Sequence, residues 1–193
     1  MLDPKRTLLI VVAGLAVFIG ATVGVNAVFR SLLRGGAAVA DLKKYTISGM
    51  SVELPGPPVP LPIPLPPEVK KLVVTMENVE AKKRNFESMV SKVVYTAGVV
   101  ASADGAMNGA IANMMKSEQM TRVSENRTPV TISGLAGFRC STVFNKAGDE
   151  LEMQGIYLAK ASTLWGVMVL YRKVDSRSRD AALRIVASLD ITP

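Results

Sequence analysis

Apolar positions along this chain follow three patterns in turn: one unbroken run, one run that alternates with proline, and then stretches of period two interrupted by two segments of helical period. The first run, residues 7–29, holds 23 residues without a charge, 17 of them Ala, Val, Ile, Leu or Phe. A helix of that length reaches roughly 34 Å, enough to cross a hydrocarbon core of about 30 Å. We therefore expect a short N-terminal tail, 1–6, followed by a transmembrane helix over 7–29. A cleaved signal peptide is the competing reading, because Lys5 and Arg6 form a basic start and 25–27 or 38–40 offer small residues at a cleavage site. The run is longer than a typical signal core, and Arg30 and Arg34 flank it as an anchor's basic residues would. A short tail favours a cytoplasmic N-terminus, which predicts a single-pass protein of the plasma or inner membrane with an extracytoplasmic C-terminal domain. Within the span Ala16, Gly20 and Gly24 share one helical face. Small residues so spaced suit a helix–helix contact and a homodimer, and lipid-facing placement is the alternative.

After a linker, 30–44, the pattern of a folded domain occupies 45–193. Residues 45–54 read as one strand stopped by Pro55 and Gly56. Residues 55–67 then hold eight of the 11 prolines, and from 59 to 66 aliphatic residues alternate strictly with proline. Proline cannot donate to a ladder and favours polyproline II, so this segment reads as a loop. Val59, Leu61, Ile63 and Leu65 are its candidate partner-binding residues; the other reading folds them back onto the domain's own core.

Further strands are predicted at 69–79 and 86–96, although the good helix formers at 81–84 also permit a helix starting near 82. Period then changes. Met107, Ala110, Ile111, Met114 and Met115 fall on one helical face over 102–116, with Ser102 placed to cap it. Core packing against a sheet accounts for this stripe better than a soft metal site does. Strands follow at 120–133, where Pro129 is expected to cause a break, and at 137–145, 150–159 and 164–172. The last is apolar almost throughout and predicts a central strand. Ala181, Ala182, Ile185, Val186 and Leu189 define a closing helix from about 178, and 190–192 can add a short strand.

Composition narrows the chemistry. The chain has 193 residues, a formal net charge of +7, one cysteine and no histidine. A histidine-based triad, a His-containing zinc site, a Cys-only zinc site and an intramolecular disulfide are thereby excluded. Cys140 lies within a strand pattern and reads as a buried, inert thiol, while Asp149, Glu150 and Glu152 read as turn and strand surface. Basic residues are interspersed with acidic ones and lack accompanying aromatics, which argues against nucleic-acid binding. No phosphate-binding loop, dinucleotide fingerprint or nucleophile elbow occurs, so no catalytic, cofactor-binding or metal residues are assigned and no enzymatic activity is expected.

The order of elements, with "SVELPG", a Pro-rich loop, "ISGLAGFRCSTVF", "ELEMQGIYLAKASTLWGVMVLY" and a closing "RDAALRIVASLDI", resembles the PsbP-like and Mog-type α/β/α sandwich domains, among them LpqN-like and DcrB-like envelope proteins. The resemblance implies an α+β fold with a central, mostly antiparallel sheet, the Met-rich helix on one side and the C-terminal helix on the other. It also implies a binding or assembly role. Lipoprotein members carry a cysteine near the end of the apolar segment, which this chain lacks. The expectation is a membrane-anchored accessory protein that binds or helps to assemble an envelope complex. The alternative is a carrier or sensor holding a small apolar ligand between the Met-rich helix and the sheet.

Overall fold

The computed structural model describes residues 36–192, so the expected tail 1–6, the expected span 7–29 and its contact residues Ala16, Gly20 and Gly24 lie outside the described residues. Among the described residues no helix is long and apolar enough to cross a membrane. A turn of 3-10 helix, Val39–Asp41, precedes two short strands, β1 (Lys43–Ile47) and β2 (Met50–Leu54). The single strand expected over 45–54 is thus a hairpin. Ser48 and Gly49 form its turn with φ of 51° and 81°, the left-handed values a tight two-residue turn needs.

The aliphatic–proline run yields a two-residue strand, β3 (Val59–Pro60), where only a loop is expected. It pairs on the outer side of β4 (Val73–Lys83), and the Leu61 amide donates to the Asn78 carbonyl at 2.9 Å. An edge tolerates this because proline's missing donor can face away from the sheet. Pro67 then starts one helical turn, α1 (Pro67–Lys70), which delays β4 by four residues relative to the expected 69–79.

Seven strands make the main sheet, in the order β3-β4-β5-β9-β8-β7-β6, each adjacent pair antiparallel. They are β5 (Phe86–Tyr95), β6 (Thr121–Ile132), β7 (Leu135–Lys146), β8 (Asp149–Lys160) and β9 (Thr163–Arg172) with β3 and β4. The helix that 82–92 permits does not form; a tight turn at Arg84 and Asn85 joins β4 to β5 instead. Pro129 does not break β6. It sits opposite Phe138 on a strand that has a neighbour on one side only, so no ladder donor is lost. The continuously apolar β9 occupies the centre of the sheet, as its composition predicts.

One face of the sheet is covered by α2 (Ala103–Ser117), whose first turn is capped by Ser102 Oγ accepting from the Gly105 amide at 2.9 Å. Met107, Ala110, Ile111 and Met114 are buried there with Met89, Phe144, Met153 and Tyr157. Met115, expected on the same stripe, is 40% exposed. The other face is covered by α3 (Ser176–Ala187) together with a second, three-stranded sheet of order β1-β2-β10, in which β10 is Asp190–Ile191. The last strand, β10, therefore pairs with β2 of the opening hairpin, outside the central sheet. Ala37 is completely buried in this second core. Just before it, a Cβ placed on Gly36 would overlap Ser178 Oγ and Asp175 Oδ2, so only glycine lets the incoming chain lie against the start of α3.

Candidate functional site

Two open grooves lie at opposite ends of the strands. The larger, about 560 Å³, runs between the N-terminal end of α2 and the strands β6, β7 and β8, with Ala103, Pro129, Val130, Phe138 and Ala159 supplying its apolar lining and Ser102, Asp104 and Thr131 its polar part. Its outer wall is the edge strand β6. One charged group holds that wall to the helix. Arg127 of β6 donates from Nη1 to Asp104 Oδ1 at 2.5 Å, from Nη2 to Asn108 Oδ1 at 2.6 Å, and from Nε to Glu125. Asn108 Nδ2 donates in turn to Asp104 Oδ2 at 3.0 Å, so the guanidinium meets a pair already fixed at i and i+4 on α2. The smaller groove, about 370 Å³, lies between Tyr45, Pro55, Pro57 and Lys83 at the other end.

The aliphatic–proline segment divides in two. Val59 is 51% exposed, whereas Ile63 is buried and Leu61 packs against the core beneath α2. Leu65 is half-buried. Of these four, Val59 is the one whose side chain stands in solvent. Met107, Ile111 and Met114 are buried against the sheet and line neither of these two grooves; the larger groove opens beyond the helix start.

Cys140 is 1% exposed, and burial pushes its thiol up to about 12, the condition of an inert side chain at neutral pH. Asp149 and Glu150 flank the β7–β8 turn, where they pair with Arg172 and Lys173 at 2.5 and 3.1 Å. Glu152 is buried, however, and accepts from Ser141 Oγ at 2.9 Å and from Gln154 Nε2 at 2.7 Å beneath the α3 side. This small network was not legible from the chain, because the acidic spacing says nothing of which strand face is covered.

Sequence reasoning also missed a buried charged cluster near the C-terminal end of α2. Glu87 of β5 is 5% exposed, and burial raises its carboxyl to about 7 despite Lys82 Nζ at 3.5 Å. Glu80 lies on the same ammonium at 2.6 Å, and the 2% exposed Glu118 pairs with Lys146 at 2.7 Å. None of these residues lines either groove. Among the described residues no group of three His, Cys, Asp or Glu side chains is arranged to hold a metal.

No family model matches the chain, and no curated protein does. Among solved structures, PsbP of the cyanobacterium Synechocystis superimposes with a TM-score of 0.53 over 83% of this chain and 98% of its own, at 9% identity. LpqN of Mycobacterium tuberculosis, described as involved in cell envelope biogenesis, aligns over 79% of this chain and 83% of its own at 11% identity with a TM-score of 0.41. A putative regulator from Pseudomonas aeruginosa aligns over 79% and 96% at 10% identity with a TM-score of 0.36. The first of these likenesses defines the class of fold: the described residues form a PsbP-like α/β/α sandwich. At such identities it is the fold that is shared.

Proposed function

We propose that this chain is a single-pass, membrane-anchored accessory protein whose sandwich domain lies outside the cytoplasm and binds a protein partner of the cell envelope. The reading invokes no enzymatic step, no cofactor and no nucleic acid. The observation that supports it is the larger groove, which is open, mainly apolar and bounded by an edge strand, and which lies at the end of the sheet away from the incoming chain at Gly36. Such a surface offers a partner apolar burial together with unpaired strand edge. Val59, at the opposite edge of the sheet, is a second point of contact.

Photo-crosslinking from Ala136 and Thr131, both exposed in the larger groove, tests the proposal in detergent-solubilised membranes. A discrete adduct that disappears in A136R is expected. An adduct formed only from Val59 moves the contact to the proline segment, and no adduct from any of the three positions overturns the partner reading. The carrier reading also draws on this groove, because about 560 Å³ is within the range of small-molecule sites. Saturable uptake of an apolar fluorophore, abolished by A136R in protein free of any partner, would favour the carrier.

A further inference from the structure

The end of the domain that receives the chain carries a feature the groove does not explain. Three turns meet there: β4–β5 at Arg84 and Asn85, β7–β8 at Ala147 and Gly148, and β9–α3 at 173–175. Register places them together, since Phe86 pairs with Tyr171 and Leu151 with Arg172, while the Lys173 amide donates to the Glu150 carbonyl at 3.0 Å. At the tip stands Val174, 81% exposed and thus more exposed than any other large apolar residue described. Lys173 and Arg177 are its basic neighbours in the chain, and Lys83, Arg84 and Arg172 lie on the adjoining turns and strand ends. Asp41, Asp149 and Glu150 partly neutralise this rim through pairs with Lys83, Arg172 and Lys173. Asp175 is turned inward, accepting from the Arg177 and Ser178 amides and from Ser178 Oγ as the cap of α3.

Where the chain arrives selects the partner for this surface. Gly36 lies against Asp175 and Ser178, directly beside the Val174 tip. Only residues 30–35 separate it from the apolar run that ends at Phe29, and six residues reach at most about 21 Å. Strands of 10 to 12 residues hold the opposite end of the sheet roughly 35 Å further away. Arg30 and Arg34 add positive charge along the connection. We propose that the β9–α3 end of the domain docks on the anionic surface of the bilayer, Val174 entering the headgroup region and Lys173 and Arg177 lying against lipid phosphates. Docking in this orientation turns the larger groove away from the membrane. The proposal rests on the anchor reading of 7–29.

The full chain, reconstituted in phosphatidylcholine vesicles with and without phosphatidylglycerol, provides the test. An environment-sensitive fluorophore is attached at V174C or, at the far β8–β9 turn, at A161C; native Cys140 is too buried to compete. Quenching by a headgroup-level quencher is expected at 174 and not at 161, and it should require the anionic lipid. K173Q and R177Q should each lower the ratio of docked to undocked domain about fivefold, the effect of one basic residue at an anionic surface. Equal quenching at 174 and 161, or quenching at 174 indifferent to lipid charge and to both substitutions, overturns the orientation. Failure of the chain to float with the vesicles after alkaline extraction removes the anchor, and the docking proposal falls with it; flotation without quenching at 174 removes docking alone.

Discussion

Glu87 shows how far a single side chain's state departs from what its place in the chain suggests. Beside Lys82, Lys83 and Arg84 it reads as one member of a solvated, helix-forming charge run. Pairing with Lys82 on one side and Leu170 on the other instead turns it onto the α2 face, where Glu80, Lys82, Glu118 and Lys146 are the charged groups around it. Its folded value of about 7 exceeds the ordinary 4.5, so between these pH values the folded chain keeps a proton that the unfolded chain has lost. Its stabilising contribution is complete below the lower value and is lost as pH rises through the upper, a loss on the order of 3 kcal/mol. Denaturant titrations of the wild type and E87Q should therefore diverge, with E87Q gaining relative stability between about pH 5 and about pH 8. An unchanged pH slope in E87Q would show that another group sets it. Gly36 is the second residue whose role comes from its surroundings. G36A must displace Asp175 or Ser178 from the cap of α3, and should cost roughly 1–3 kcal/mol in a thermal melt.

Among the elements, α2 was the most legible: five apolar positions at helical spacing and a capping serine suffice to set its extent within one residue. Its docking was not legible, because Asp104, Asn108 and Arg127 come together only through the pairing of β6 with β7 and the packing of α2 across β7 and β8. R127A should loosen the start of the helix. With the guanidinium partly exposed, a cost of about 1 kcal/mol is expected, seen as faster amide exchange over Ala106–Asn108 than over Ile111–Met114. Uniform acceleration along α2 would instead mean that Arg127 supports the whole fold. S102A tests the cap separately and should cost about 1 kcal/mol. Two other elements were misread for one reason. The break at Pro129 and the absence of strand at Val59–Pro60 both follow from proline chemistry in an interior strand, and both residues lie instead in edge strands.

At the scale of the molecule, the two grooves lie at opposite ends of the sandwich, and the described chain enters at the end away from the larger one. The seam at Ala37 and Leu42 makes the start of the domain part of its core. A chain beginning at Gly36 should therefore retain its melting temperature, whereas one beginning at Lys43 loses the Ala37 burial and the Lys83–Asp41 pair and should melt several degrees lower, about 2–4 °C for each kcal/mol removed. The amino-acid sequence by itself determined the uncharged apolar run, the helical and strand periods, the central place of β9 and the exclusion of histidine and multi-cysteine chemistry. These are local properties, set by the spacing of side chains along a few turns or a few pleats. The tertiary structure alone decided that the first strand folds into a hairpin, that it joins the last strand in a separate sheet, which carboxylates lose their water, and where a groove stays open. Each of these depends on which distant segment covers a given face, and burial of a face is a property of the pairing register and the packing layers, which no local period encodes.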